Sequence, residues 1–303
     1  MSSHCSKKLY FYNMPIPKIV HYAFVILHYG DATVAMEAIE SIRSLDRGGR
    51  KVSVIVVDNA SPNGTGEQVK KQIESLPDFY YIHNEENLGF AKGNNVGFKY
   101  AKNELKADFI VLMNNDAVIE SAEFFALVEQ DYSSEKFAVL GPSIRTPVGK
   151  EQNPLRLKML RGFRLKLTVA YLWVDLLASF LFISPMISCL LKKFPRKQTR
   201  QELSAMNNVE LHGSFLIFSL EYIEKFDGLD DRTFMYCEEE FLFARCMLNN
   251  LKTRFNPAIC ILHNEVENRR ASILQQRKKR LFRIRNCIKS LAIYSNSQFV
   301  FFQ

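Results

Sequence analysis

The chain has 303 residues, 47% of them hydrophobic, with 13 Gly and 10 Pro, which excludes a disordered polymer and allows one large α/β domain or two small ones. The formal net charge of +8 is uneven: residues 155–200 carry ten Lys/Arg against the single Asp175, and residues 268–303 carry nine and no acid, which leaves the remainder acidic. Six cysteines (5, 189, 237, 246, 260 and 287) form no C-x-x-C pair and no apolar run follows Met1 to Lys8, so the expectation is reduced thiols in an intracellular protein that is not secreted.

Residues 1–18 read as a loose tail closed by Pro15 and Pro17. His21–His28 is a mostly apolar run suited to a buried first strand, and Thr33–Leu45 follows as a helix with Val34, Ala38, Ile42 and Leu45 on one stripe. Val52–Val57 is a Val/Ile-rich strand covered on both faces. The turn Ser61-Pro62-Asn63-Gly64 leads into a helix near Gly66–Ser75. Phe79–His83 is a short third strand, Gly93–Lys102 a helix, and Phe109–Met113 a fourth strand ending at Asn114. Alternation at this spacing predicts an α/β fold with a mostly parallel central sheet flanked by helices, and ligands at the carboxyl ends of its strands.

After Gly141-Pro142 the character changes. Leu167–Leu191 is a 25-residue stretch, apolar apart from Asp175 and a few Ser/Thr, bounded by Lys/Arg on both sides. Its length passes the test for a membrane-spanning helix, but Pro185 interrupts it. A single crossing would put Asp116 and Glu238-Glu239 on opposite sides of a bilayer, so helices lying in the interface are expected instead. A hairpin re-entering the same side near Pro185 and a protein-buried insert are the alternatives. Asn208–Ser219 resumes α/β character as a strand entered through His212-Gly213-Ser214. A helix then runs from Glu238 through Arg245, and Phe255–His263 is a last strand. Residues 269–292 read as a basic amphipathic helix with Leu274, Leu281, Ile284, Ile288 and Leu291 on one face.

Three groups of residues carry chemistry. Asp58 closes a buried strand, where a carboxylate can orient a nucleotide base or ribose or simply cap the Ser61 turn. Gly89, Gly93 and Gly97 surround Asn87, Asn94 and Asn95 at a helix start, which suits close approach to ribose or phosphate and equally suits helix capping. Asn114-Asn115-Asp116 ends a second buried strand with one carboxylate, a place for a cation bound to a diphosphate. Gly64-Thr65-Gly66 lacks the third glycine of a dinucleotide fingerprint, and no P-loop sequence occurs.

In order and spelling, Asp58-Asn59-Ala60-Ser61, Asn87-Leu88-Gly89-Phe90-Ala91-Lys92-Gly93-Asn94-Asn95, Asn114-Asn115-Asp116 and Glu238-Glu239 with Leu242 and Arg245 resemble the family 2 glycosyltransferases. The resemblance covers roughly residues 20–265 and implies a nucleotide-diphospho-sugar transferase (GT-A-like) fold with a single, inverting displacement. It implies that Asp58, Asn59, Asn87, Gly89, Gly93, Asn95 and Asn115 bind the nucleotide-sugar. Asp116, Asn114 and His263 would hold a divalent cation, Mg or Mn, with Asn114 standing where the family often has a first acid. It further implies that His212, Gly213, Ser214 and Arg245 line the acceptor pocket, and that Glu239 or Glu238 is the general base, Glu here replacing the usual Asp. Phe241 replaces a commonly acidic position.

The expected layout is a tail at 1–18, a nucleotide-sugar-binding half at 19–150, a basic and apolar helical insert at 151–205, an acceptor and catalytic half at 206–268, and a basic amphipathic helix at 269–303. The expected partners are a UDP- or dTDP-sugar donor, a lipid-linked or growing surface polysaccharide as acceptor, and a membrane surface met by 155–200 and 269–292. The expected place is peripheral, on the cytoplasmic face of the cell membrane, and no nucleic acid is expected because no recognisable nucleic-acid module accompanies the basic helix. Two rivals remain at this stage: a nucleotidyltransferase that makes a sugar nucleotide, and a non-catalytic sugar- or lipid-binding module. The first would want a Gly-rich basic loop after the first strand, where Leu27-His28-Tyr29-Gly30-Asp31 has one Gly and no Lys or Arg.

Overall fold

A computed structural model describes residues 19–180, 203–264 and 273–301. Strands β1 (His21–His28), β2 (Lys51–Asp58), β3 (Phe79–His83) and β4 (Phe109–Asn114) pair in parallel in the order β3-β2-β1-β4. They alternate with helices α1 (Ala32–Arg43), α2 (Thr65–Ile73) and α3 (Phe90–Asn103). Successive side chains of a strand point to opposite faces, and here both faces are apolar. Tyr22, Phe24 and Ile26, Val54 and Val56, and Val111 and Met113 enter one core. Ala23 and Val25, Ile55 and Val57, and Ile110 and Leu112 enter the other. That is why these strands read as continuous apolar runs.

The rest of the chain completes the same sheet. Strands β5 (Ala117–Ile119), β6 (Val139–Arg145), β7 (Met206–Asn207), β8 (Phe215–Phe218) and β9 (Thr253–His263) extend it as β4-β8-β6-β9-β5, with β7 also on β9. β8 runs antiparallel to β4 and β6, β6 parallel to β9, and β5 antiparallel to β9. One face is covered by α1, α2 and α4 (Phe124–Glu135). The other is covered by α3, α6 (Leu220–Ile223) and α7 (Glu238–Leu248). The antiparallel β8 lies directly between β4, which ends in Asn114, and β6. It therefore carries the His212–Ser214 turn to the carboxyl end of β4, where the Asn114 N–H donates to the Ser214 carbonyl at 2.9 Å.

Two further helices, α5 (Gly162–Phe180) and α8 (Ile273–Phe301), pack on each other beside this body. Leu160 and Leu165 near the start of α5, Phe241 and Ala244 of α7, and Leu291 and Tyr294 of α8 form a third apolar cluster. Asp175, the one acid of the apolar stretch, is paired with Arg280 of α8, and Arg277 donates to the Ser179 and Phe180 carbonyls at 3.0 and 3.2 Å. Ile284 and Leu291 are buried as the heptad-like spacing predicts, whereas Leu274 is 63% exposed. Among the described residues no helix is long and apolar enough to cross a membrane. The stretch after Phe180 with Pro185, the tail at 1–18, and the thiols of Cys5 and Cys189 lie outside the described residues. Cys237, Cys246, Cys260 and Cys287 are free thiols.

Candidate active site

The carboxyl ends of β1, β2 and β4 meet in register, with His28 opposite Asp58 and Leu27 opposite Asn114. Asp58 is buried and accepts from Ser61 N and Oγ (3.1 and 2.6 Å), Tyr81 OH (3.1 Å) and His83 Nδ1 (2.9 Å). Burial works to raise its pKa, but the Ser61, His83 and Tyr81 donors outweigh it and hold the carboxyl below its ordinary value.

Asn59 next to it uses its whole amide inside the protein. Its oxygen accepts from Asn84 and the Leu88 N–H, and its nitrogen donates to Asn87 Oδ1 at 3.0 Å and the Gly89 carbonyl at 3.1 Å. Asn59 thus acts on the loop that enters α3. Gly89 lies there at φ +82°, and a Cβ on it would fall 2.0 Å from the Phe234 carbonyl, which accepts from the Phe90 N–H. Gly93 packs against Leu27 and Asn59, and Gly97 against Val25 and Val57. Asn95 is buried and binds both the N–H and the carbonyl of Leu229 (2.7 and 2.9 Å), pinning α3 to the 228–229 loop. Arg245 likewise faces that loop, donating to the Gly228 carbonyl and Tyr222 OH and pairing with Asp230 at 3.3 Å. Asn115 lies 3.5 Å from the His28 ring.

At the far end of β4, the Ala117–His263 pairing of β5 and β9 sets His263 beside Asp116. His263 Nδ1 lies 2.8 Å from Gln152 Oε1, and its Nε2 lies 3.1 Å from Asp116 Oδ1. With the ring proton on Nδ1, toward the Gln152 oxygen, Nε2 presents its lone pair to Asp116; with a proton on Nε2, the ring donates to Asp116 instead. Asp116 Oδ1 is buried and, among the described residues, has no hydrogen-bond partner apart from this His263 approach. In the Nδ1–H tautomer two lone pairs face one another, an arrangement that a cation satisfies. Asp116 and His263 therefore fit as two ligands of a divalent ion, with the Asn114 backbone held against Ser214 alongside. Among the described residues no group of three or more His, Cys, Asp or Glu has metal-binding geometry, so further oxygens would come from a bound diphosphate.

The acidic run closes the site from the other side. Tyr236 and Cys237 both adopt φ +71°, a left-handed turn that delivers Glu238, Glu239 and Glu240 as the first turn of α7. The helix dipole favours carboxylates at that end. Glu239 is partly exposed, and its Oε1 accepts from the Gly213 N–H at 3.1 Å. Burial raises its pKa, against the lowering effect of the Gly213 N–H and Arg156. Glu238 is 6% exposed, and burial together with the neighbouring Glu239 charge pushes it to about 8. Glu240 and Glu210 share Arg156 at 2.6 and 2.9 Å, and burial pushes Glu210 to about 8.

The turn between the two groups is built for contact. His212 Nδ1 lies 2.9 Å from Ser214 Oγ, the His212 ring packs edge-on to His263 with centroids 5.7 Å apart, and Gly213 meets Glu239. His263 in turn faces Asp116. Asp116 and Glu239 are thus joined through three neighbouring contacts at one end of one sheet.

The sequence profile of the glycosyl transferase family 2 matches residues 24–191, more than half of the chain. The chain belongs to glycosyl transferase family 2. It is 24% identical over 215 residues to the low-salt glycan biosynthesis hexosyltransferase Agl10 of Haloferax volcanii, covering 70% of this chain and 58% of that one. It thus spans somewhat over half the length of the curated relative. Among solved structures, the mannosyltransferase PcManGT of Pyrobaculum calidifontis in complex with GDP-Man and Mn2+ is similar at 15% identity. Its TM-score is 0.53, and the match covers 82% of this chain and 58% of that one. TarS of S. aureus in complex with UDP is similar at 15% identity and a TM-score of 0.52, covering 88% of this chain and 71% of that one. These likenesses establish the GT-A-like fold of this family 2 chain.

Sequence reading passed over Arg156, Glu210, Gln152, His83 and Tyr81. Arg156 looked like one more cation flanking an apolar stretch, and only its ion pairs with Glu210 and Glu240 set it apart. Gln152 follows β6 in a loop without a motif.

Proposed function

We propose that the protein is an inverting, metal-assisted glycosyltransferase that moves one sugar from a UDP- or dTDP-sugar to a hydroxyl of a lipid-linked or growing surface polysaccharide. The observation that carries this reading is the meeting of Asp116 and Glu239 at one sheet end through the His212–Ser214 turn. Glu239 is the base. Its carboxylate, oriented by the Gly213 N–H, takes the proton of the acceptor hydroxyl as that oxygen bonds to the anomeric carbon. The bond from that carbon to the diphosphate oxygen breaks on the opposite face. Desolvation makes Glu239 more basic than an ordinary carboxylate, which favours this proton transfer.

Glu238 is buried and makes the poorer base, while Arg156 holds Glu210 and Glu240 aside. Asp58, fixed by Ser61, Tyr81 and His83, and the Asn59-held loop at Asn87 and Gly89 form the nucleotide end. A divalent cation, Mg or Mn, at Asp116 and His263 would neutralise charge on the departing diphosphate. The reading supports a place at the inner face of a cell membrane, where a lipid-linked acceptor would be met.

The test is release of nucleoside diphosphate when donor and acceptor are supplied together. Glu239→Gln keeps an oxygen for the Gly213 N–H but cannot take a proton. We expect it to lose at least about 100-fold in kcat with donor affinity unchanged. Wild-type turnover by that variant would remove Glu239 from the chemistry, and donor binding by the native protein without release for any sugar would favour a binding module.

A further inference from the structure

Among the described residues, nothing covers a large apolar surface of helix α5. Phe163, Leu167, Tyr171, Val174 and Leu177 recur at steps of three and four and are 74, 53, 57, 60 and 60% exposed. Its opposite face, with Leu165, Asp175, Leu176 and Ser179, is buried. The stripe therefore faces away from the described body, and a contiguous patch of this kind on one helix marks an interaction surface. The charge around it is of one sign. Ile273–Phe301 contains seven Lys/Arg and no Asp or Glu, with Lys278, Lys279, Arg283, Arg285 and Lys289 exposed, and Arg161, Arg164 and Lys166 are exposed at the start of α5. A groove of about 320 Å³ lined by Arg156, Lys158, Leu160, Arg164 and Leu167 opens at that same end. Arg156 is also the cation paired with Glu240 beside Glu239.

We propose that the α5–α8 face docks on an anionic phospholipid bilayer, with α5 lying along the interface, its apolar stripe in the acyl boundary and the cations of both helices among the headgroups. An apolar stripe bordered by Lys/Arg is the pattern that binds such a surface, because apolar burial and attraction to anionic lipid add. A second copy of the chain is the poorer occupant, since it would bring the same cationic rim, with no acid on α8 to pair with it. A spanning arrangement does not suit α5, whose inner face holds the Asp175–Arg280 pair. As to purpose, the inference rests on the transferase reading above: Arg156 lines the groove and pairs with Glu240, the neighbour of Glu239, so docking would bring a lipid-anchored acceptor to the side of the protein that carries the catalytic acids.

The experiment is flotation of the full chain with vesicles of phosphatidylcholine, with and without phosphatidylglycerol, alongside sedimentation without lipid. The native protein is expected to float with the anionic vesicles, less so as salt is raised. Val174→Glu combined with Leu177→Glu, and separately Lys278→Glu combined with Arg283→Glu, should each lower the bound fraction at least about tenfold. All variants should keep the native melting temperature and its rise with nucleoside diphosphate and Mn. Unchanged flotation of the Val174/Leu177 variant overturns the proposal. So does a lipid-free dimer that this variant converts to monomer, because a second copy would then cover the stripe. Vesicle binding without release of nucleoside diphosphate for any donor would instead sink the transferase reading and leave the docking surface standing.

Discussion

Glu238 and Glu239 are adjacent, alike in chemistry and both desolvated, but they differ in their partners. Glu239 reaches the Gly213 N–H and remains partly exposed, while Glu238 is buried with its Oε1 unpartnered. The motif made the pair legible in the sequence. It could not say which member faces the turn, because that depends on the left-handed Tyr236 and Cys237 that set the phase of α7. The pKa of about 8 for Glu238, against an ordinary 4.5, gives a stability test. Below 4.5 both folded and unfolded states hold the proton. Between 4.5 and about 8 the unfolded chain has lost it and the folded chain keeps it, so stability falls as pH rises and levels off above 8. Glu238→Gln removes this burden. We expect the Tm of the variant relative to the native protein to climb steadily from about pH 4.5 to about pH 8. A constant Tm difference across that range would show that Glu238 is not held protonated by its site.

At the scale of elements, the loops that meet at the site are tied by side-chain amides as well as by apolar packing. The sequence predicts α3 to begin at Gly93, but it begins at Phe90, because the Phe234 carbonyl accepts the Phe90 N–H and Gly89 takes the turn before it. A partner more than a hundred residues away leaves no local signal. The strands β1 to β4 were legible because apolar side chains line both of their faces. β5, with three residues, is too short to show a period, and β6 and β9 pair through a register shift at Pro142/Ser143 that no pattern announces. Asn95 is the clearest case of an amide tie. Its two buried bonds to Leu229 join α3 to the loop before the acidic run, and Asn95→Ala leaves the Leu229 N–H and carbonyl unpaired. The expected cost is about 2–4 kcal/mol of unfolding free energy. Urea denaturation measures it, and a loss below about 0.5 kcal/mol would mean the loop finds other partners.

For the whole molecule, the consequential feature is that one sheet is built from both halves of the chain. β8 inserts between β4 and β6, so the turn at its start touches the Asp116 side through Ser214 and His212 and the Glu239 side through Gly213. The expected separation into a nucleotide half and an acceptor half is then a matter of which side of this turn a residue lies on. Two substitutions separate the sides. A Cβ on Gly213 would lie 2.9 Å from Glu239 Oε1, closer than such contacts allow, so Gly213→Ala must displace the carboxylate or the turn. Misplacement of that size costs about 10- to 100-fold in kcat and should leave donor affinity unchanged. Asp116→Ala removes one of the two proposed cation ligands, so it should abolish the part of donor binding that depends on Mg or Mn while the fold, read by Tm, persists. Isothermal titration with the nucleoside diphosphate, with and without Mn, reads the second effect, and product release at saturating donor reads the first. If Gly213→Ala weakened donor binding and Asp116→Ala left it untouched, the assignment of the two sides would be reversed. If both variants lost only Tm, the turn would be a structural joint and nothing more.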